Sequence, residues 1–433
     1  MSSCPNFQTG KKRKSEFKLV AHKQLIKNFK GDILKKMEIS LGLILVLIIL
    51  IGVLGIYQMH TKPIMGIEAF ESSISIPWRL LVAVYVFFVV STTGLCIVAS
   101  LGEVFGFSKL EPIVKEGLLM ALVTILVGLM TIGLEIEQVT RGYYAMIGHV
   151  NPKSVMFWMI MFYVLYVVFL VVEMWFYFYD DLLKQKESGG LKGWVARILT
   201  IPKATDTKDF ARVIGFVTVF TAIVAHSNLG ALFGVNYLPF WHGPLLPVYF
   251  ILSAIVSGAA LTVIGAYFAD RIRGVRIEGK RYEAIQMLRL ILGFSIVVTI
   301  FFTTWKFVVK AYPNSTLLSR EAIEVYLTGD FAFNFWVMEV IVGLLAPLIL
   351  LAIPQTGRKT EGVFVASLLT IIGIFFLRID LVMGGLALKL ISGTAFPSLV
   401  FHPFELMATA GFMALTILLY CIGYKLLPME VEG

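Results

Sequence analysis

Ten stretches of this sequence run for about twenty residues or more with almost no charge, and this pattern constrains the fold more than any other feature. In a bilayer every backbone N–H and C=O must be satisfied internally, so an apolar run that spans a core of about 30 Å becomes a helix. The runs lie at roughly 39–57, 77–104, 115–138, 154–180, 210–234, 243–270, 284–311, 331–353, 361–385 and 401–427. The chain is 58% hydrophobic and 15% charged, whereas soluble domains sit near about 45–50% apolar and about 25% charged. The expected fold is an all-α integral membrane protein with about ten transmembrane helices.

Lysine and arginine set the orientation. They crowd the tail at 1–38, the connection at 181–209 (Lys184, Lys186, Lys192, Arg197, Lys203, Lys208), the one after the sixth run (Arg271, Arg273, Arg276, Lys280, Arg281) and the one after the eighth (Arg358, Lys359). With ten spans these segments share one side, which the positive-inside rule makes cytoplasmic. Both termini are therefore expected in the cytoplasm, with the protein in the cell membrane. The net charge of +9 follows from these loops, and nucleic acid is not an expected partner; anionic membrane lipid is the simpler partner for them. The basic tail has no separate apolar signal core, so 39–57 reads as an uncleaved anchor helix, and Met37 offers an alternative start.

The remainder carries a weak internal repeat, for which chance likeness between apolar helices is the alternative. Val84-Tyr85 with Gly94 matches Val248-Tyr249 with Gly258 at the same internal spacing, four spans apart. That fits two parallel four-helix bundles, 77–234 and 243–385, flanked by the first helix and a last helix at 401–427, as parallel repeats do in other membrane folds. Cys4, Cys96 and Cys421 are far apart, which leaves no basis for a structural zinc or a bound iron–sulfur cluster.

Ionisable groups inside spans mark functional positions by default. Placed at about 1.5 Å per residue, Glu135, His226, Lys306, Glu339, Arg378, Asp380, His402 and Glu405 collect toward the outer leaflet. Glu103, Glu173 and Asp270 lie toward the inner one. Snorkelling or structural ion pairing is the plainer account of Lys306 and Glu135. Arg378 and Asp380 stand inside a long apolar run and are expected to pair with each other or with carboxylates on neighbouring helices.

The stretch His226-Ser-Asn-Leu-Gly-Ala-Leu-Phe-Gly234, followed by Pro239-Phe-Trp-His-Gly-Pro-Leu-Leu-Pro-Val-Tyr-Phe-Ile-Leu-Ser253, resembles the NrfD/PsrC/HybB family of respiratory membrane subunits. Pro77-Trp78-Arg79, Gly94-Leu95, Arg378-Ile-Asp380 and His402-Pro403 with Glu405 agree with it, and the resemblance runs from about 77 to 427. The third span departs: Leu134-Glu-Ile-Glu-Gln-Val-Thr-Arg141 replaces the family's Asp-Leu-Gly-x-Pro type ending, so no role passes to Glu135 or Arg141. The ten-span length is closer to the HybB and DsrP branches than to the eight-span one.

The resemblance implies a subunit that binds no redox cofactor of its own. In such subunits a partner iron–sulfur protein, ferredoxin-like and docked on the outer face, exchanges electrons with menaquinone or another quinone in the helix bundle, within a larger respiratory complex. The histidines agree independently: His22, His60 and His149 fall in the tail or outer loops, and His226, His242 and His402 all lie toward the outside, so no stacked pair of haems has its axial ligands. Reducing a quinone takes two electrons and two protons. His226, a head-group partner or proton donor because an unperturbed imidazole titrates near neutrality, and Asp380 are the expected contacts of the quinone head group. Trp241 and Tyr249 either pack on the ring or belong to the interfacial aromatic belt. Glu339, Arg378, Asp380 and Glu405 are expected in proton transfer, with Glu103 and Glu173 on an inward path. Two other classes fit the bare pattern of helices and charges: a secondary transporter, which calls for broken helices and charge at mid-membrane, and a purely structural anchor.

Overall fold

The structure is a computed structural model, and it describes residues 39–59, 78–135, 143–144, 146–148, 150–274, 276–312, 317–386 and 401–429. The basic tail, Met37, Pro77 and Arg141 lie outside the described residues. Among the described residues ten helices are long and apolar enough to cross a membrane, in agreement with the ten runs read from the sequence. They are α1 (Ile39–Met59), α2 (Leu80–Glu103), α3 (Val114–Glu135), α4 (Val155–Gln185), α6 (Thr207–Gly234), α7 (Leu246–Arg273), α8 (Gly279–Ala311), α10 (Asn334–Ala352), α11 (Thr360–Gly384) and α12 (Pro403–Leu426). Shorter helices stand between them, the longest being α5 (Gly190–Leu199) and α9 (Leu317–Leu327).

Local chemistry sets several of the ends. Pro247 sits in the first turn of α7, where its missing N–H costs nothing, and Gly274 closes that helix with φ 67°. His402 accepts from the Phe404 N–H while the Glu405 side chain accepts from the His402 N–H, a capping box that opens α12.

Helices α2 and α7 form the centre. Almost every residue of α2 is buried, and α2 packs against α3, α6, α7 and α11, while α7 packs against α2, α6, α8 and α11. The two cross at the glycines of the internal repeat. A Cβ on Gly94 would overlap the Ala254 carbonyl, and one on Gly258 would overlap the Gly94 backbone. The two glycines that the sequence repeat pairs therefore touch each other. Close backbone approach through small residues is how membrane helices gain packing energy where lipid supplies no hydrophobic drive. Helix α1 is mostly exposed and lies against α12, where Gly52 faces Gly411.

A buried charge cluster ties the halves together at the end of the molecule where the basic connections lie. Arg281 of α8 bonds Glu116 of α3 at 3.0 Å, Asp270 of α7 at 2.9 Å and the Pro112 carbonyl at 2.9 Å. Asp270 is thus a member of a structural ion pair. Nearby, Lys115 bonds Asp181 and the Pro428 carbonyl, Arg273 the Met429 carbonyl and Gln185 the Leu426 carbonyl. These contacts hold the C-terminal segment across α3, α4 and α7. This end is the basic face, and the opposite end, which carries residues 235–245, is the Trp241 face.

Candidate functional site

Two adjoining cavities open from the Trp241 face into the second half of the chain. The outer one is an apolar cleft of about 120 Å³ lined by Phe240, Trp241, Leu246, Tyr249, Phe302 and Lys306 among others. The inner one is about 10 Å³ and is lined by Thr303, Tyr326, Glu339 and Asp380 together with Phe240, Tyr249 and Lys306, which border both. The outer space holds on the order of ten water-sized molecules and the inner about one. An apolar slot with a few converging polar groups at its end is the usual form of a small-molecule site.

Departures from α-helical geometry place the carboxyls of the inner cavity. Helix α10 is π-helical from Asn334 to Leu345, and the Ala346 N–H bonds the Ile341 carbonyl five residues back. Pro347, lacking an N–H, cannot restore the α-helical bond at the next position. With i→i+5 bonding, residues five apart share a face, so Asn334 and Glu339 both turn toward Asp380, to whose Oδ1 Asn334 donates at 3.3 Å. Helix α11 becomes π-helical at Asp380–Gly384, a feature frequent at functional sites. The carbonyls released there are taken up by side chains: the Tyr326 hydroxyl donates to the Asp380 carbonyl at 2.7 Å, and the Trp241 indole to the Leu381 carbonyl at 2.6 Å. Side chains at Gly384 and Gly385 would collide with the Tyr326 hydroxyl and the Trp241 ring respectively. Burial, with Asp380 nearby, pushes the Tyr326 hydroxyl well above its usual pKa and keeps it a donor.

Of the residues singled out in the sequence, Tyr249, Glu339 and Asp380 meet at this site, and Trp241 forms a wall of the cleft. Trp241 is wholly buried, stacked on Trp78 and edge-on to Phe233, so it does not belong to a lipid-facing belt. The Tyr249 hydroxyl bonds Thr303 at 3.0 Å. Lys306 lies with its ammonium 3.8 Å over the Phe240 ring and 5.6 Å from that of Tyr249. It does not reach out to the interface, because both cavities close around it.

Arg378 and Asp380 do not pair with each other. Two residues apart on a helix, their side chains diverge: Arg378 donates to the Ser253 hydroxyl at 2.7 Å and lies 5.2 Å from the Phe250 ring, while Asp380 turns to Asn334. Among the described residues no carboxylate lies in an ion pair with Arg378, and its Nε and Nη1 have no hydrogen-bond partner.

His226 is fully buried but lines neither cavity. Its Nδ1 meets the Thr93 hydroxyl and the Ala222 carbonyl, and the Tyr163 and Tyr166 rings stand edge-on to it. It stands beside α2, whereas Arg378 stands beside α7. Glu173 is wholly buried beside Gly215 of α6. Glu103 neighbours it, so this pair lies toward the basic face and away from the cleft. Glu405 accepts from Arg79 at 3.1 and 3.3 Å besides capping α12, which ties the last helix to α2. Glu135 lies near that pair.

Sequence reasoning did not single out Asn334, Thr303 or Tyr326, and for Lys306 it left a functional position open beside snorkelling or structural ion pairing. Asn334 had no signal in a 3.6-residue period, because a π-helix changes which residues share a face; Pro347 was the visible trace. Among the described residues no group of three or more histidine, cysteine or acidic side chains is arranged to hold a metal ion.

Known proteins bear on the same region. The family model described as polysulphide reductase NrfD matches residues 68–389, which include both cavities. A selenate reductase subunit of Mesobacillus selenatarsenatis is 26% identical over 403 residues, 88% of this chain and 92% of that protein. The Hdr-like menaquinol oxidoreductase integral membrane subunit of Archaeoglobus fulgidus is 24% identical over 419 residues, 94% and 96%. The probable Ni/Fe-hydrogenase 2 b-type cytochrome subunit of Escherichia coli is 22% identical over 337 residues, 75% and 76%. With the family model matching well over half of its length, the chain belongs to the polysulphide reductase NrfD family.

Proposed function

We propose that this chain is the quinone-reactive membrane subunit of a respiratory oxidoreductase complex, exchanging electrons between menaquinone and a partner iron–sulfur subunit. The observation that carries the reading is the juxtaposition of the apolar cleft with a buried pocket holding two carboxyls, Glu339 and Asp380, through a neck made by Tyr249 and Lys306. The names of the relatives, a menaquinol oxidoreductase subunit and a selenate reductase subunit among them, support it.

Quinone and quinol differ by two electrons and two protons, so the site must bind an aromatic ring, meet two carbonyl oxygens and exchange protons without free access for water. The cleft takes the ring between Trp241 and Phe302, with the isoprenoid tail leaving toward lipid. Lys306 and the Tyr249 hydroxyl donate to a carbonyl oxygen in the neck. Asp380 and Glu339 receive or supply the protons behind them, and Arg378 sets the local potential. The electrons come from or go to the partner. This chain holds no redox group in the reading, so the partner's nearest cluster must sit close to the cleft mouth, on the Trp241 face. That face is periplasmic or its equivalent if the basic face is cytoplasmic. Glu103 and Glu173 belong to proton exchange with the basic face, and the buried His226 lies between them and the cleft half.

The test is quinone turnover by the intact complex carrying Glu339→Gln or Asp380→Asn. Loss of turnover with normal assembly supports the assignment. Full activity in both variants would overturn it.

A further inference from the structure

We propose that the connection between α4 and α6 is a seat for anionic phospholipid in the leaflet at the basic face, with α5 as its core. The inference does not depend on the quinone reading.

Helix α4 has 31 residues, about 46 Å at 1.5 Å per residue, against a hydrocarbon core of about 30 Å. Its sequence is apolar as far as Tyr179 apart from the buried Glu173, and its polar end begins at Asp180. The segment Asp180–Gln185 therefore stands in the headgroup region, with Trp175 close to the acyl boundary. Helix α5 folds back along this stretch. The Gln185 amide donates to the Lys192 carbonyl at 3.2 Å, and the Trp175 indole to the Leu199 carbonyl at 2.8 Å. Later residues of α5 meet earlier residues of α4, so the helix descends toward the boundary. The chain after it is pinned too, Ala204 N–H to the Tyr179 hydroxyl at 3.2 Å and Thr207 to Asp180 at 3.1 Å.

What α5 turns outward is apolar. Gly193 and Ala196 are buried against the protein, while Leu191, Trp194 and Ile198 share the opposite face at 61, 59 and 44% exposure, and Ile201 follows at 74%. A stripe of this kind at the depth of the boundary has acyl chains as its neighbours. Arg197 flanks it on one side and Lys192 on the other, and Lys203 and Lys208 follow, all exposed. The acidic groups nearby are Asp180, Asp181, Glu187, Asp206 and Asp209, against the cations Lys184, Lys186, Lys192, Arg197, Lys203, Lys208 and Arg212; Asp181 is taken by Lys115 and Lys184, and Asp209 lies within 3.8 Å of Arg212. Cations therefore outnumber acids around the stripe. An apolar face flanked by cations and carrying a tryptophan is the arrangement that binds an anionic interface.

The test uses the assembled complex in phosphatidylcholine vesicles that contain a minor fraction of brominated phosphatidylglycerol or of brominated phosphatidylcholine. Quenching at Trp194 is read as the difference between the native chain and Trp194→Phe, with quinone turnover or thermal stability as the control for folding. The expected result is stronger quenching by the anionic lipid. That preference weakens in Arg197→Ala and Lys203→Ala by roughly fivefold for each cation removed, and it weakens as salt is raised. No quenching by either lipid, which would mean that protein or water covers the face, overturns the proposal. So does equal quenching by the two headgroups.

Discussion

Glu405 and Asp380 look alike in the sequence, each a carboxylate within an apolar run and close to another polar residue. Their neighbours separate them. Glu405 is held by Arg79 and by the cap of α12, whereas one oxygen of Asp380 meets Asn334 and the other is buried with no partner among the described residues. An unpartnered buried carboxyl is expensive to keep for stability alone, and on this account it serves proton transfer. Replacing Asp380 with Asn preserves its size and contact with Asn334 but removes the proton exchange. The expected loss in quinone turnover is about 10²- to 10⁴-fold, measured on purified complex with partner stoichiometry as the control. Glu405→Gln should leave turnover close to native and lower thermal stability instead. His226→Gln should leave the KM for quinol unchanged, because His226 borders neither cavity; a several-fold rise in KM measured by steady-state kinetics would place the ring near His226 after all. The sequence brought Asp380 and Glu339 into view because charge in an apolar run is visible without a structure, and Tyr249 because it lies in the family-like block at 239–253. It did not separate them from Glu405 or His226, because neighbours on other helices decide that.

The ten helices were legible because a run of apolar residues as long as a bilayer has few other fates. Their bends were not. The π-helical segments of α10 and α11 are recorded only by Pro347 and the pair Gly384-Gly385, and both shape the inner cavity. The contact between α2 and α7 was foreshadowed by the repeated Gly94 and Gly258, though the repeat alone did not say that the two glycines face each other. Since a Cβ at Gly94 meets backbone, which cannot yield as a side chain can, Gly94→Leu is expected to abolish the folded subunit. Gly133, which has open space around it, should accept Ala with little change. Detergent thermal-shift measurements on both compare the two directly. At the basic face, removing the Arg281 guanidinium leaves Glu116 and Asp270 buried without their cation. Arg281→Ala should cost about 3–5 kcal/mol, read as a lower unfolding temperature with the cleft unaltered.

Across the whole molecule, function and anchorage fall on different ends. The cleft and its carboxyls lie toward the Trp241 face in the second half of the chain, while the charge cluster, the pinned C-terminal segment and the lipid-facing α5 lie at the basic face. The central α2–α7 pair joins the two. On this account the second half holds the quinone and the first half supports it, carrying its own buried polar groups at His226, Glu103 and Glu173. The most direct test is photoaffinity labelling of the intact complex with an azido-quinone, followed by mapping of the modified peptides. The account predicts labels within residues 240–249 and 302–310, suppressed by excess menaquinone. Labels confined to the helices around His226, with none on the second half, would contradict it.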